Sequence, residues 1–373
     1  MIDTRERSRA NMRLLVLVLL LLVLSILGSI WQAVRLGRNV GGTREDVTPY
    51  VATYREALEA GDTAALQSMA DPNADPAWLA VLATEPRRLW VPLTEWHIER
   101  VAELEGTNVV QVSLNGTFDA DGVPVSAYWR LYFVQDGEQW QPTFPNVTAT
   151  WGPQTTLPFA EGIRITYRLD EARDVPPALS DLFTFLEDVR RLTGRRDEAL
   201  LLIAIDPLEP FEAVTVQETD EGMLIAARSP WTSYGFLAPE TELRARIAWG
   251  VLQTVETASP RQRAALQAVA RFWVGQVNDV HPFFDTALIR EAETWDADVP
   301  PLAAVLSGEA PATLQTTAYL WLLSEGLTTE QVAQIVEATS PEQIEQMLTA
   351  WRGQTPEELN TAWQQAVQTR YRR

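Results

Sequence analysis

The sequence predicts an α+β protein held by an N-terminal transmembrane helix. Three observations carry that expectation. An uncharged, Leu-rich run lies close to the N-terminus, and a helical pattern gives way after Pro86 to alternating segments rich in Val, Tyr, Trp and Phe. Beyond about residue 149, strands come first and only helices follow. The 373 residues suffice for an anchor and two domains, and 46% apolar residues with 14 Trp suffice for real cores.

The run "LLVLVLLLLVLSILGSIW", residues 14–31, approaches the roughly 20 apolar residues a helix needs to cross a bilayer. Arg5, Arg7, Arg9 and Arg13 precede it and place residues 1–13 in the cytoplasm. Trp31 suits the outer interface. The run is long for a cleaved signal peptide, and no A-x-A site follows it. The expectation is a single-pass, uncleaved signal anchor in the plasma membrane, with the bulk of the chain extracytoplasmic. Residues 32–47, with Gly37, Gly41 and Gly42, read as a short linker.

The first domain is expected at residues 48–148. Thr48-Pro49 is a helix start, Gly61 a stop, and further helices cover Thr63 to Met69 and the stretch after Asp75-Pro76. Four alternating strands follow, broken by "EGTN", "DADG" and "DGE" turns. Helices followed by an antiparallel meander, with the "WRLYFVQDGEQWQPTF" hairpin, resemble the NTF2-like (SnoaL-like) fold, which implies a curved sheet wrapped on helices as a cone. Enzymes and plain binding modules share such a fold. His97, in "TEWHIE", reads as a partly exposed strand residue. Asn115-Gly-Thr and Asn146-Val-Thr match glycosylation acceptors, a match that arises often by chance.

The second domain is expected at residues 149–373, a mixed α/β unit that becomes all-helical. "GIRITY", "ALLLIAIDP" and "AVTVQETDEGMLIAARSP" read as strands, and "ALSDLFTFLEDVRRLTG" as an amphipathic helix stopped by Gly194. Capping patterns at Ser259-Pro260, Thr328, Ser340-Pro341 and Thr355-Pro356 start four later helices. The opening "WG…GIRITYRLDEA", the "GMLIAARSP…YGF" stretch and the "TPEEL…W" helices resemble the peptidase MA-like (gluzincin) metallopeptidases over about 220 residues. That resemblance implies a zinc helix bearing H-E-x-x-H, two histidines one turn apart with a glutamate base between them.

The helix "ELRARIAWGVLQTV", Glu242 to Val255, stands at that place and contains no histidine. Aligned on an apolar face of Leu243, Ile247, Val251, Leu252 and Val255, the motif falls on Trp249 to Gln253. Trp249 and Gln253 stand where the histidines would be and Gly250 where the base would be. Gln276, in "RFWVGQVND", stands for the third ligand, a glutamate. These four are degenerate zinc-site positions, and Gly250 in mid-helix points to close packing. No residue is a candidate metal ligand or catalytic group.

Composition narrows the chemistry further. No Cys excludes thiol catalysis and thiolate metal sites, and all 30 basic residues are Arg, which excludes Schiff-base and phosphate-binding lysines. The two histidines, His97 and His281, cannot build a three-histidine zinc site. The net charge of −20 repels nucleic-acid phosphates. The expectation is a non-catalytic binding or assembly protein at the membrane, a pseudo-peptidase without cofactor, holding a peptide or protein segment in its C-terminal cleft or a ligand in the cone. A carboxylate-dependent hydrolase and a purely structural surface protein are the alternatives.

Overall fold

The structure is a computed structural model that describes residues 47–371 apart from 90–92, 105–106, 121, 195–199, 209–213, 233, 258 and 276–298. The expected anchor at 14–31, Gln276 and His281 therefore lie outside the described residues. Among those described, no helix is long and apolar enough to cross a membrane. The fold is α+β, with two five-stranded sheets and a helical C-terminal third.

Helix α1 (47–60) packs Val47, Val51, Tyr54 and Leu58 into the first core and ends at Gly61, whose φ is +69°. Val47, assigned to the linker by the sequence, is helical and fully buried, because its side chain completes that apolar face. Helices α2 (Thr63–Met69) and α3 (Pro76–Thr84) follow, capped by the carboxylates of Asp62 and Asp75. Strands β1 (Leu93–Glu103), β2 (Val109–Ala120), β3 (Val123–Asp136) and β4 (Gln139–Thr143) form an antiparallel meander. Alternation along β3 sends Val125, Ala127, Trp129, Leu131 and Phe133 to one face. From Leu131 to Val134 both faces are buried, because the other side is covered as well. There Tyr132 meets Phe144 and Trp151, the latter on α4 (Val147–Trp151), edge to face.

The second sheet has the order β5-β6-β7-β9-β8. Strand β5 (Gln154–Ala160) pairs antiparallel with β6 (Ile163–Arg168), a pairing the sequence did not reveal. Helices α5 (Val175–Ala178) and α6 (Leu182–Thr193) connect β6 to β7 (Leu201–Asp206), which lies parallel to β6 and to β9 (Gly222–Arg228). Strand β8 (Thr215–Thr219) closes one edge, antiparallel to β9. After β9 the chain crosses to the first sheet, where β10 (Tyr234–Gly235) pairs with Trp129 and Tyr128 of β3. It then returns as α7 (Pro239–Thr254), followed by α8 (Pro260–Val274).

The C-terminal helices are α9 (Ala312–Ser324), α10 (Thr329–Glu337), α11 (Pro341–Arg352) and α12 (Pro356–Tyr371). Four starts fall at the capping patterns. Ser259 accepts from Gln262 N at 3.1 Å, Thr328 forms a reciprocal capping box with Gln331, Ser340 accepts from Gln343 N at 3.3 Å, and Thr355 exchanges bonds with Glu358. One continuous core joins the second sheet to these helices, with Tyr319 and Trp363 among its largest fully buried side chains.

Candidate functional site

Helix α7 is enclosed on most sides rather than on one face. Leu243, Ile247 and Val251 are buried as expected, but so are Glu242, Ala245, Arg246, Ala248 and Gly250. Gly250 faces the sheet: a Cβ there would lie 2.5 Å from Ile225 Cγ2 and 2.8 Å from Val214 Cγ1. The missing side chain lets the helix backbone settle on β9. A glutamate at 250 would run into that contact.

Leu252 and Val255 pack against the core with only part of their surface. They are partly exposed and line a surface pocket with Trp249 and Gln253. Arg263, Leu266 and Gln267 of α8 form the facing wall, and Thr257 lies in the intervening loop. The pocket has a volume of about 150 Å³. Trp249 and Gln253, one turn apart, thus share one pocket, whereas Gly250 points away from it. A second space, lined by Tyr54, Trp78, Trp129 and Tyr132 of the first domain and by Leu208 and Arg228 of the second, measures about 30 Å³, room for one or two waters.

The charged group of the pocket is Arg263, beside the polar Gln253, Thr257 and Gln267. Arg263 Nε donates to Thr257 Oγ1 at 3.2 Å, and its guanidinium forms no ion pair among the described residues. Gln267 Oε1 accepts from Thr316 Oγ1 at 3.2 Å. No carboxylate lines the pocket.

A second polar cluster lies where the chain crosses between the sheets, and sequence reasoning missed it. Residues 229–232 and 234–237 follow the end of β9, and side chains from both units hold this stretch. From β3, Arg130 Nη1 donates to Pro230 O at 2.8 Å and also to Trp231 O, and Tyr132 Oη donates to Thr232 O at 2.6 Å. From α7, Arg246 donates to Arg228 O at 2.5 Å and Glu242 accepts from Phe236 N at 2.9 Å, so the two fix the start and end of the crossing. Glu242 and Arg246 also pair with each other at 3.0 Å, both essentially without exposure. The spacing Glu-x-x-x-Arg was visible in the sequence, but it reads equally as a solvated helix pair.

Glu171 accepts from Ser229 Oγ in the same seam, and the two residues are 3% and 0% exposed. Arg168 N donates to the other carboxylate oxygen at 3.4 Å, and Arg168 itself pairs with Asp206 at 2.8 Å. Burial pushes the Glu171 carboxyl up from its ordinary 4.5 to about 7, against the opposing pull of Ser229 and Arg168. Burial also raises the Tyr132 phenol, so it stays a donor.

His97 is exposed on β1 opposite Asn115. Asn146 caps α4 by accepting from Ala149 N at 2.9 Å. Among the described residues no cluster of three or more His, Asp or Glu could hold a metal. No family model matches the chain, and no curated protein is significantly similar to it.

Proposed function

We propose that this chain is a membrane-anchored, extracytoplasmic binding or assembly protein without catalytic activity. In this reading an NTF2-like module lies near the bilayer and a peptidase MA-like domain that has lost its zinc motif lies beyond it. The observation that carries the proposal is the pocket between α7 and α8. It has the volume of one large side chain, about 150 Å³, and its α7 wall includes Trp249 and Gln253, where the resemblance puts two histidines. An indole cannot coordinate zinc, and an amide is a poor substitute for imidazole. An apolar wall with a few convergent polar groups is the usual composition of a binding site. Three helices followed by a four-stranded meander support the NTF2-like assignment, and strands that precede an all-helical end support the peptidase-like one.

The test has two parts. Full-length protein is expected in the membrane fraction with its original N-terminus. The purified chain in mild detergent is expected to bind members of a peptide panel without cleaving them, and Trp249→Ala is expected to weaken that binding. A soluble mature product, or peptide cleavage that a chelator abolishes, refutes the proposal.

A carboxylate-dependent hydrolase is the second reading, favoured by Glu171, whose raised pKa suits a general acid or base. Against it, Glu171 and Ser229 are sealed in the seam, so a substrate reaches them only if the crossing segment leaves β3.

A further inference from the structure

We propose that the α7–α8 pocket receives the C-terminal residue of a peptide, with its bulky apolar side chain inside and its free carboxylate on Arg263. The inference rests on the binding reading above and names the ligand chemistry.

Size sets the first constraint. A volume of about 150 Å³ takes one side chain of leucine or phenylalanine size, and an engineered cavity of that volume in another protein takes up benzene. Trp249, Leu252, Val255 and Leu266 give this space apolar walls.

Charge sets the second. The chain carries a net charge of −20, yet this pocket presents a guanidinium and no carboxylate. Thr257 engages only Nε of Arg263, so the terminal N–H groups remain for a ligand. A guanidinium offers a planar fork that a carboxylate fills with two parallel, charge-assisted bonds. Thr316 already occupies Gln267 Oε1, which leaves the Gln267 amide N–H groups as further donors beside the guanidinium.

Together the two constraints select a chain terminus over an internal acidic residue. The pocket holds one side chain, and a carboxylate on the same Cα is the one held closest to Arg263. Only a C-terminal residue carries both on one Cα.

The experiment uses the full chain in mild detergent, with ligand binding followed by saturation-transfer NMR. The probes are N-acetyl-L-phenylalanine, its C-terminal amide, and acetate. The free acid is expected to bind with a dissociation constant on the order of 1 mM, as its small size dictates. The amide is expected to bind at least tenfold more weakly, and acetate more weakly still. Arg263→Gln changes an exposed side chain and is expected to lower the acid to the level of the amide without changing the amide. Equal binding of acid and amide, or an unchanged preference in Arg263→Gln, overturns the proposal. If peptides blocked at both ends bind at Trp249 just as well, the terminal-carboxylate proposal falls while the binding reading stands. If no peptide or probe binds at all, both fall.

Discussion

Replacing Glu171 with Gln isolates one titration in the seam between the two sheets. The native carboxyl titrates near 7 rather than 4.5, so between those values the folded protein holds a proton that the unfolded chain has released. The contribution of Glu171 to stability is therefore fully present below pH 4.5 and is lost as pH rises to about 7. At 1.36 kcal/mol per decade, the displacement from 4.5 to about 7 is worth about 3 kcal/mol. About 2 kcal/mol of that falls between pH 5.5 and pH 8. No discount for solvent screening is needed, because the residue is 3% exposed. A glutamine keeps an acceptor for Ser229 Oγ but loses the weak bond from Arg168 N, at a cost that does not vary with pH. Urea unfolding of the full chain and of Glu171→Gln, at pH 5.5 and pH 8, measures the difference. The variant is expected to gain about 2 kcal/mol relative to the parent on going to pH 8. Two stability curves that stay parallel across this range would refute the argument, because Glu171 would then titrate alike in both states.

Three other outcomes follow from the same contacts. Glu242→Ala removes the buried carboxylate that pairs with Arg246 and accepts from Phe236 N, so denaturant unfolding should show a loss of about 3–5 kcal/mol, whereas an exposed pair would lose less than 1. Gly250→Ala, which favours an isolated helix by about 1 kcal/mol, should destabilise here by about 1–3 kcal/mol, since its Cβ would lie 2.5 Å from Ile225 Cγ2; a higher melting temperature would contradict this packing. Trp249→His with Gln253→His sets two imidazoles one turn apart in the pocket and should bind cobalt or zinc more tightly than the parent by equilibrium dialysis, while adding Gly250→Glu should unfold the domain. Equal metal uptake by parent and double variant would show that the two positions do not converge.

What could be read from the sequence was local. Ser259, Thr328, Ser340 and Thr355 each bond to a residue three positions ahead, so the starts of α8, α10, α11 and α12 are written within four residues of sequence. Gly61 and Gly194 stop their helices with positive φ, a conformation that side chains with a Cβ disfavour. Alternation exposed β2 and β3 because each strand buries one face over most of its length. The lack of Cys and Lys, and of any histidine in α7, ruled out whole chemistries with no structure needed. The tertiary structure decided what depends on distant partners. β5 became a strand because β6 pairs with it, and β10 exists only because β3, about 100 residues earlier, offers it an edge. Glu242 and Arg246 read as a surface pair until the crossing segment covered them. Leu252 and Val255 read as core and do pack against it, but α8 leaves their outer surface lining a pocket with Trp249 and Gln253. A cap or a turn is settled by atoms within one helical turn, whereas a buried charge or a pocket is settled by which surfaces the whole chain brings together.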